Sequence, residues 1–186
     1  MLQLNQHLFL ILNAPASPAL PLLVLAICLA EYLIWSLPLL LLYGWFSGRP
    51  VLRRAAFDAG LAALCALTVN QFIGLAWPNP RPFVIGLGHT LIAHAADPSF
   101  PSDHLTLFWS VGIALWLTPA TRRVGGGLLL LGLPMAWARI YLGVHYPLDM
   151  LGAAVVAGAM GVLVCRTARP VVGRVFDRCA ALPGRL

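Results

Sequence analysis

The chain has 186 residues, of which 60% are hydrophobic and only 10% charged. Soluble domains carry about a quarter charged residues, so this chain cannot clothe a globular surface in polar groups, and the bilayer is its natural solvent. All twelve basic residues are arginine, the formal net charge is +6, and the pI is about 9.8. Such basicity raises nucleic acid as a partner. The apolar composition excludes that reading and assigns the charge to membrane topology instead.

The spacing predicts an interfacial helix over residues 2–13, too short to span, which the Ala14-Pro15-Ala16-Ser17-Pro18 breaker ends. This first run lacks a basic leader and a convincing small-residue cleavage site, so it is not read as a signal peptide. Long apolar runs follow over 20–46, interrupted by Glu31, and over 55–77, with Asp58 early and Asn70 and Gln71 late. Residues 78–103 are the one long polar loop, holding five prolines, two histidines, Asp97 and Asp103. Three further apolar helices are expected over 104–118, 124–142 and 148–165, with an arginine-rich surface tail from Arg166. The expected fold is a single all-α domain over 1–186, a multi-pass transmembrane bundle of five to six helices. Cys28, Cys65, Cys165 and Cys179 show no metal spacing and read as free thiols.

Five spans give each loop a side. Arg49, Arg53, Arg54, Arg122, Arg123, Arg166, Arg169, Arg174, Arg178 and Arg185 fall together, and only Arg81 and Arg139 fall opposite. The positive-inside rule makes the arginine-rich side cytoplasmic. The expected location is therefore the plasma (inner) membrane, with loop 78–103 and the turn near 139–147 on the outer face.

Three segments on that face carry chemistry. Arg81 lies between Pro80 and Pro82, which fix the backbone; its guanidinium either grips phosphate oxygens in fork geometry or snorkels to headgroups. Ser102 reads as the N-cap of the third span, with His104 in the first turn, where free N–H groups and the helix dipole favour an anion. Arg139, His145 and Asp149 form the third segment. His145 and Asp149 lie four apart, so the carboxylate can hold one imidazole nitrogen and leave the other free to attack. Charge clamps, a nucleophile and an acid suit phosphoryl transfer without a metal or other cofactor, and no carboxylate cluster suggests paired metals. Glu31 either packs against a polar partner or lines the pocket. Asn70 and Gln71 read as hydrogen-bonding between helices. His89 and His94 read as exposed loop residues, Trp45 and Trp77 as an interfacial belt, and Gly152, Gly158 and Gly161 as packing positions.

These segments resemble the three signature motifs of the type 2 phosphatidic acid phosphatase (PAP2) superfamily. Arg81-Pro82 matches the first, Pro101, Ser102 and His104 the second, and Arg139, His145 and Asp149 the third. The resemblance implies that His145 becomes phosphorylated, that His104 protonates the leaving group, and that Arg81, Ser102 and Arg139 hold the phosphate. Two positions depart from the pattern: Gly74 stands where the family has a lysine, and Asp103 where it has a glycine. Beside a phosphate, Asp103 must point away, be protonated or pair with an arginine. The strings FPSDH, NQFIG and PRPF and the segment around Asn13 are similar to the bacitracin-resistance branch, the undecaprenyl-diphosphate phosphatases. The implied partners are a polyprenyl or other lipid diphosphate and membrane lipids. Alternatives are a phosphatidate or phosphatidylglycerophosphate phosphatase, or a non-catalytic lipid-phosphate binding or transport protein. The similar vanadate-dependent peroxidases are soluble and larger.

Overall fold

A computed structural model describes residues 2–167 and 169–180. Among the described residues the regular structure is entirely helical. Helix α1 (Leu2–Leu12) is about 16 Å long at 1.5 Å per residue. It buries Asn5 and Phe9 and leaves Leu4, Leu10 and Ile11 exposed. Asn5 accepts the Leu148 backbone N–H at 3.1 Å, and Phe9 stacks edge-on against Tyr146. The helix thus braces the start of the last span.

Four helices are long and apolar enough to cross a membrane: α2 (Leu20–Phe46), α3 (Pro50–Ala76), α5 (Pro119–Tyr141) and α6 (Pro147–Thr167). This is the architecture of an integral membrane protein. Helix α4 (Asp103–Leu117) has only 15 residues, below the ~20 that a span requires. Five full spans were expected; four helices reach that length, and α4 runs through the bundle as a shorter apolar helix. The helix packs against α3, α5 and α6 and buries Leu105, Phe108, Val111 and Ala114. An element enclosed by other helices need not reach both surfaces, and its polar start can be sunk into the bundle.

Local chemistry sets the other boundaries. Helix α2 is continuous but loosens at a π segment (Cys28–Tyr32) and a 3₁₀ turn (Leu33–Trp35). Pro38 cannot donate to the Ile34 carbonyl, which weakens the turn before it; the π segment carries Glu31, whose side chain is partly exposed. Helix α3 starts at Pro50 rather than 55, because proline suits the first helical position. It ends at Ala76, with Trp77 preceding Pro78. An alanine face (Ala55, Ala59, Ala62, Ala63, Ala66) lets it approach its neighbours.

The arginine-rich end carries α7 (Arg169–Ala180). Phe176 packs against Trp45 and Phe57, with the Arg54 guanidinium over its ring. Arg54 also pairs with Asp58 at 2.8 Å. The side chains of Arg169, Arg178 and Cys179, and Arg185 as a whole, lie outside the described residues; Cys28 and Cys65 are free thiols. Trp77 is exposed, as an interfacial residue should be, and Gly152 and Gly161 face Phe100 and Ile113.

Candidate active site

Loop 77–102 folds back over the opposite mouth and is fastened there. The Asn13 side chain donates to the carbonyls of His89 and Tyr141 and accepts from the His89 N–H. Leu91 N–H donates to the Leu142 carbonyl at 3.1 Å. Gly143, at φ +86°, lies so close that a Cβ would sit 2.1 Å from the His89 oxygen. Any side chain there would lift the loop off the turn that carries His145.

His145 is 1% exposed. Its Nδ1 lies 3.1 Å from Asp149 Oδ2, and its Nε2 lies 3.0 Å from Arg81 Nη1. A carboxylate accepts and a guanidinium donates, so Nδ1 carries the proton and Nε2 the lone pair. The expectation that the second nitrogen would stand free is corrected: Arg81 donates to it. Burial, then the charges of Arg139 and Arg81, hold the imidazole well below its ordinary pKa. His94 and His104 add to the effect, so His104 shares the same electrostatic neighbourhood. Burial, with Asp149 adding, pushes the adjacent Tyr146 phenol up to about 12.

Asp149 is fixed from several sides. Its Oδ2 accepts from Ser99 Oγ and, at 2.8 Å, from the Tyr146 N–H, so the carboxylate caps α6 and orients His145 together. The sequence reading missed Ser99. A serine in a polar loop gives no sign that it will be folded under a helix start.

The two arginines at this mouth are deeply buried, Arg81 4% exposed and Arg139 0%. Arg81 Nε bonds Asp97 Oδ1 at 2.9 Å, and its Nη1 also reaches the Val144 carbonyl. Arg139 Nη1 bonds Glu31 Oε1 at 2.5 Å. Of the two roles open to Glu31, it takes the polar partner, placed there by the π segment; π turns often mark functional positions. Ser102 has the extended backbone of an N-cap, but its hydroxyl makes no cap bond. That hydroxyl and Arg139 Nε are buried without a partner. An orphaned hydroxyl at a helix start and an orphaned guanidinium N–H are both donors that an anion can fill.

Asp103 turns to α3, where Asn70 Nδ2 donates to one oxygen at 2.8 Å and Gln71 Nε2 to the other at 3.3 Å. Asn70 also donates to Thr106 at 3.0 Å. The expected inter-helix bonding of these amides is present, and it pins the first turn of α4. Gly74, in the position of the family lysine, faces Pro98 at ordinary contact distance. His94 requires a second correction. It is not an exposed loop residue: its Nε2 lies 2.9 Å from Arg139 Nη2, and its ring lies 6.3 Å from that of His145. His89 is exposed, as expected. His104 faces an apolar groove of about 460 Å³ between α2 and α4, lined also by Ile34, Trp35, Leu37, Pro38, Leu41, Leu107 and Val111.

The helical bundle gathers two arginines, a helix N-terminus and a carboxylate-held imidazole at one mouth, beside an apolar groove. The chain belongs to the PAP2 superfamily, whose family model matches residues 55–171. It is 37% identical to YbjG of Escherichia coli (strain K12), which carries a provisional undecaprenyl-diphosphatase name, over 98% of this chain and 95% of that protein. It is 39% identical to the undecaprenyl-diphosphatase BcrC of Bacillus subtilis (strain 168), over 85% of this chain and 82% of that protein. The crystal structure of Aquifex aeolicus LpxE shares the fold, with a TM-score of 0.69 at 23% identity, covering 87% of this chain and 94% of that one.

Proposed function

We propose that this protein hydrolyses undecaprenyl diphosphate to undecaprenyl phosphate and inorganic phosphate through a phosphohistidine on His145. The observation that carries the reading is the seating of His145 between Asp149 on Nδ1 and Arg81 on Nε2, which directs the Nε2 lone pair at Arg81, where a bound phosphate would sit. Nε2 attacks the terminal phosphorus, and the bond from that phosphorus to the bridging oxygen breaks. His104 takes a proton from solvent as the anionic diphosphate binds beside it and gives that proton to the bridging oxygen as the lipid monophosphate leaves. Water then attacks the phosphorus of the phosphohistidine with His104 as base, releasing phosphate and restoring both imidazoles. Arg81, Arg139 and Ser102 neutralise the transferring group, a task for preorganised donors. The apolar groove beginning at His104 suits the first units of a prenyl chain. The names of the curated relatives support the same substrate.

The test is phosphate release from purified lipids in excess EDTA. Undecaprenyl diphosphate should turn over faster than phosphatidate and phosphatidylglycerophosphate, and chelation should leave the rate unchanged. Phosphate is held here by guanidinium and hydroxyl groups, and Asp97 and Glu31 are already matched to arginines. Loss of activity in EDTA restored by magnesium overturns the mechanism. Preference for phosphatidate overturns the substrate, and lipid binding with no release returns the protein to a carrier role.

We further propose that the site faces outward across the plasma membrane. In a background without native cysteines, Ala96→Cys should react with an impermeant thiol reagent on intact spheroplasts, and Ala120→Cys only after permeabilisation. Both positions are exposed, at opposite ends of the bundle. The reverse labelling pattern inverts the topology.

A further inference from the structure

His94 is an imidazole at the mouth that the chemistry above leaves without a task. Its Nδ1 lies 3.1 Å from the Ala95 carbonyl oxygen, which can only accept, so Nδ1 carries the proton. Its Nε2 then accepts from Arg139 at 2.9 Å. Arg139 is held at both ends of its fork, by Glu31 on Nη1 and by His94 on Nη2. The His94 side chain keeps 17% of its surface exposed, so a proton can reach it from solvent.

Position along the site suggests what the residue meets. His145 and Arg81 mark the attacked end. Glu31 is one helical turn from Ile34 and Trp35, which line the apolar groove with His104. Arg139, through its Glu31 partner, approaches the groove end of the site, and His94 bonds Arg139 with its ring 6.3 Å from that of His145, so both border the path from the point of attack to the groove. A diphosphate running from His145 toward the groove brings its lipid-side phosphate against them. Charge adds a second argument. Arg81 is paired with Asp97 and Arg139 with Glu31, so little net positive charge remains for the additional anion of a diphosphate.

We propose that His94 selects for a diphosphate headgroup: as the second phosphate arrives it takes a proton from solvent, and Nε2 changes from accepting the Arg139 hydrogen bond to donating one to the phosphate that stays on the lipid. The inference rests on the lipid-diphosphate reading above. The groups facing His94 are Arg139 on α5, Arg81 and Asp97 on its own loop, His145 on the following turn, His104 on α4 and, through Arg139, Glu31 on α2. Burial holds its pKa down; the Ala95 carbonyl opposes that, Arg81 and Arg139 reinforce it, and Asp97 opposes it. A phosphate among the arginines reverses their effect.

The experiment compares wild type, His94→Gln and His94→Ala on farnesyl diphosphate and farnesyl phosphate, which share a tail, from about pH 6 to about pH 8. A glutamine amide oxygen can take over acceptance from Arg139 but cannot gain charge. The wild-type ratio of kcat/KM, diphosphate over monophosphate, should fall as pH rises. In His94→Gln the ratio should be flat with pH and about tenfold lower at the acid end. A wild-type ratio and pH slope in His94→Gln would show that the residue only positions Arg139, and overturns the proposal. Equal losses on both lipids in the two variants overturn it as well. Wild type that releases phosphate from neither lipid removes the lipid-diphosphate reading and this inference with it.

Discussion

The two ends of the bundle use the same residue type in opposite ways. At the α7 end, Arg53 and Arg54 lie over aromatic rings at the surface, and the Arg54–Asp58 pair is a partly exposed i,i+4 contact. At the mouth, Arg81 and Arg139 are enclosed, each gripped by a carboxylate and by a nitrogen of a histidine ring. A surface arginine orients the chain and costs little to change. A buried one is held in a fixed fork, so its geometry becomes part of whatever binds beside it. Burial and partners, not residue type, separate a topology signal from a binding group.

The comparison breaks most sharply at the mouth. His145→Ala is expected to lower kcat by at least about a thousandfold, with the protein still folded in detergent, since loss of a nucleophile removes the covalent route. Near-normal phosphate release by a folded His145→Ala protein would remove the assignment. Asp149→Asn should cost less activity than His145→Ala but more stability, because its Oδ2 also receives Ser99 and the Tyr146 N–H. Melting temperatures of the two variants separate these effects.

A matched pair sharpens the contrast. Arg139→Lys should cost about a hundredfold in kcat/KM, because an ammonium cannot reproduce the fork between Glu31 and His94. Arg54→Lys should leave kcat/KM unchanged and lower only stability, because an ammonium cannot keep both the Asp58 pair and the stack on the Phe176 ring. Equal activity losses from the two substitutions would erase the distinction between the ends.

The smallest effect expected is on pH. The neutral imidazole of His145 is the reactive form, and burial with the arginines holds its pKa down. The acid limb of kcat/KM should therefore fall below pH 6.5, the ordinary histidine value. Arg139→Gln should move that limb upward by relieving one of the lowering charges. The sign for stability follows. The unfolded chain takes up this proton near pH 6.5, whereas the folded chain resists until well below it. The contribution of His145 to stability is therefore complete above about pH 6.5 and is lost as pH falls below it. Melting temperatures across that range check the sign.

Much of this was legible in the sequence. Apolar run lengths located the long helices, because a helix must match the bilayer thickness. The spacing of His145 and Asp149 was enough to place one nitrogen on the carboxylate, because four residues make about one helical turn at the start of α6. Asn70 and Gln71 were correctly read as inter-helix donors, since amides in apolar helices need partners. The rest depended on where the loop at 77–102 closes. Composition cannot tell a histidine that faces water from one folded against Arg139, so His94 was misplaced and Ser99 passed over. Nor could it show that Asp103 turns to α3, that Glu31 meets Arg139 through a π turn, or that Arg81 donates to the nitrogen expected to stand free. Each of these is a contact between residues distant along the chain. Local periodicity fixes which residues share a helix face; only packing fixes which faces and loops meet.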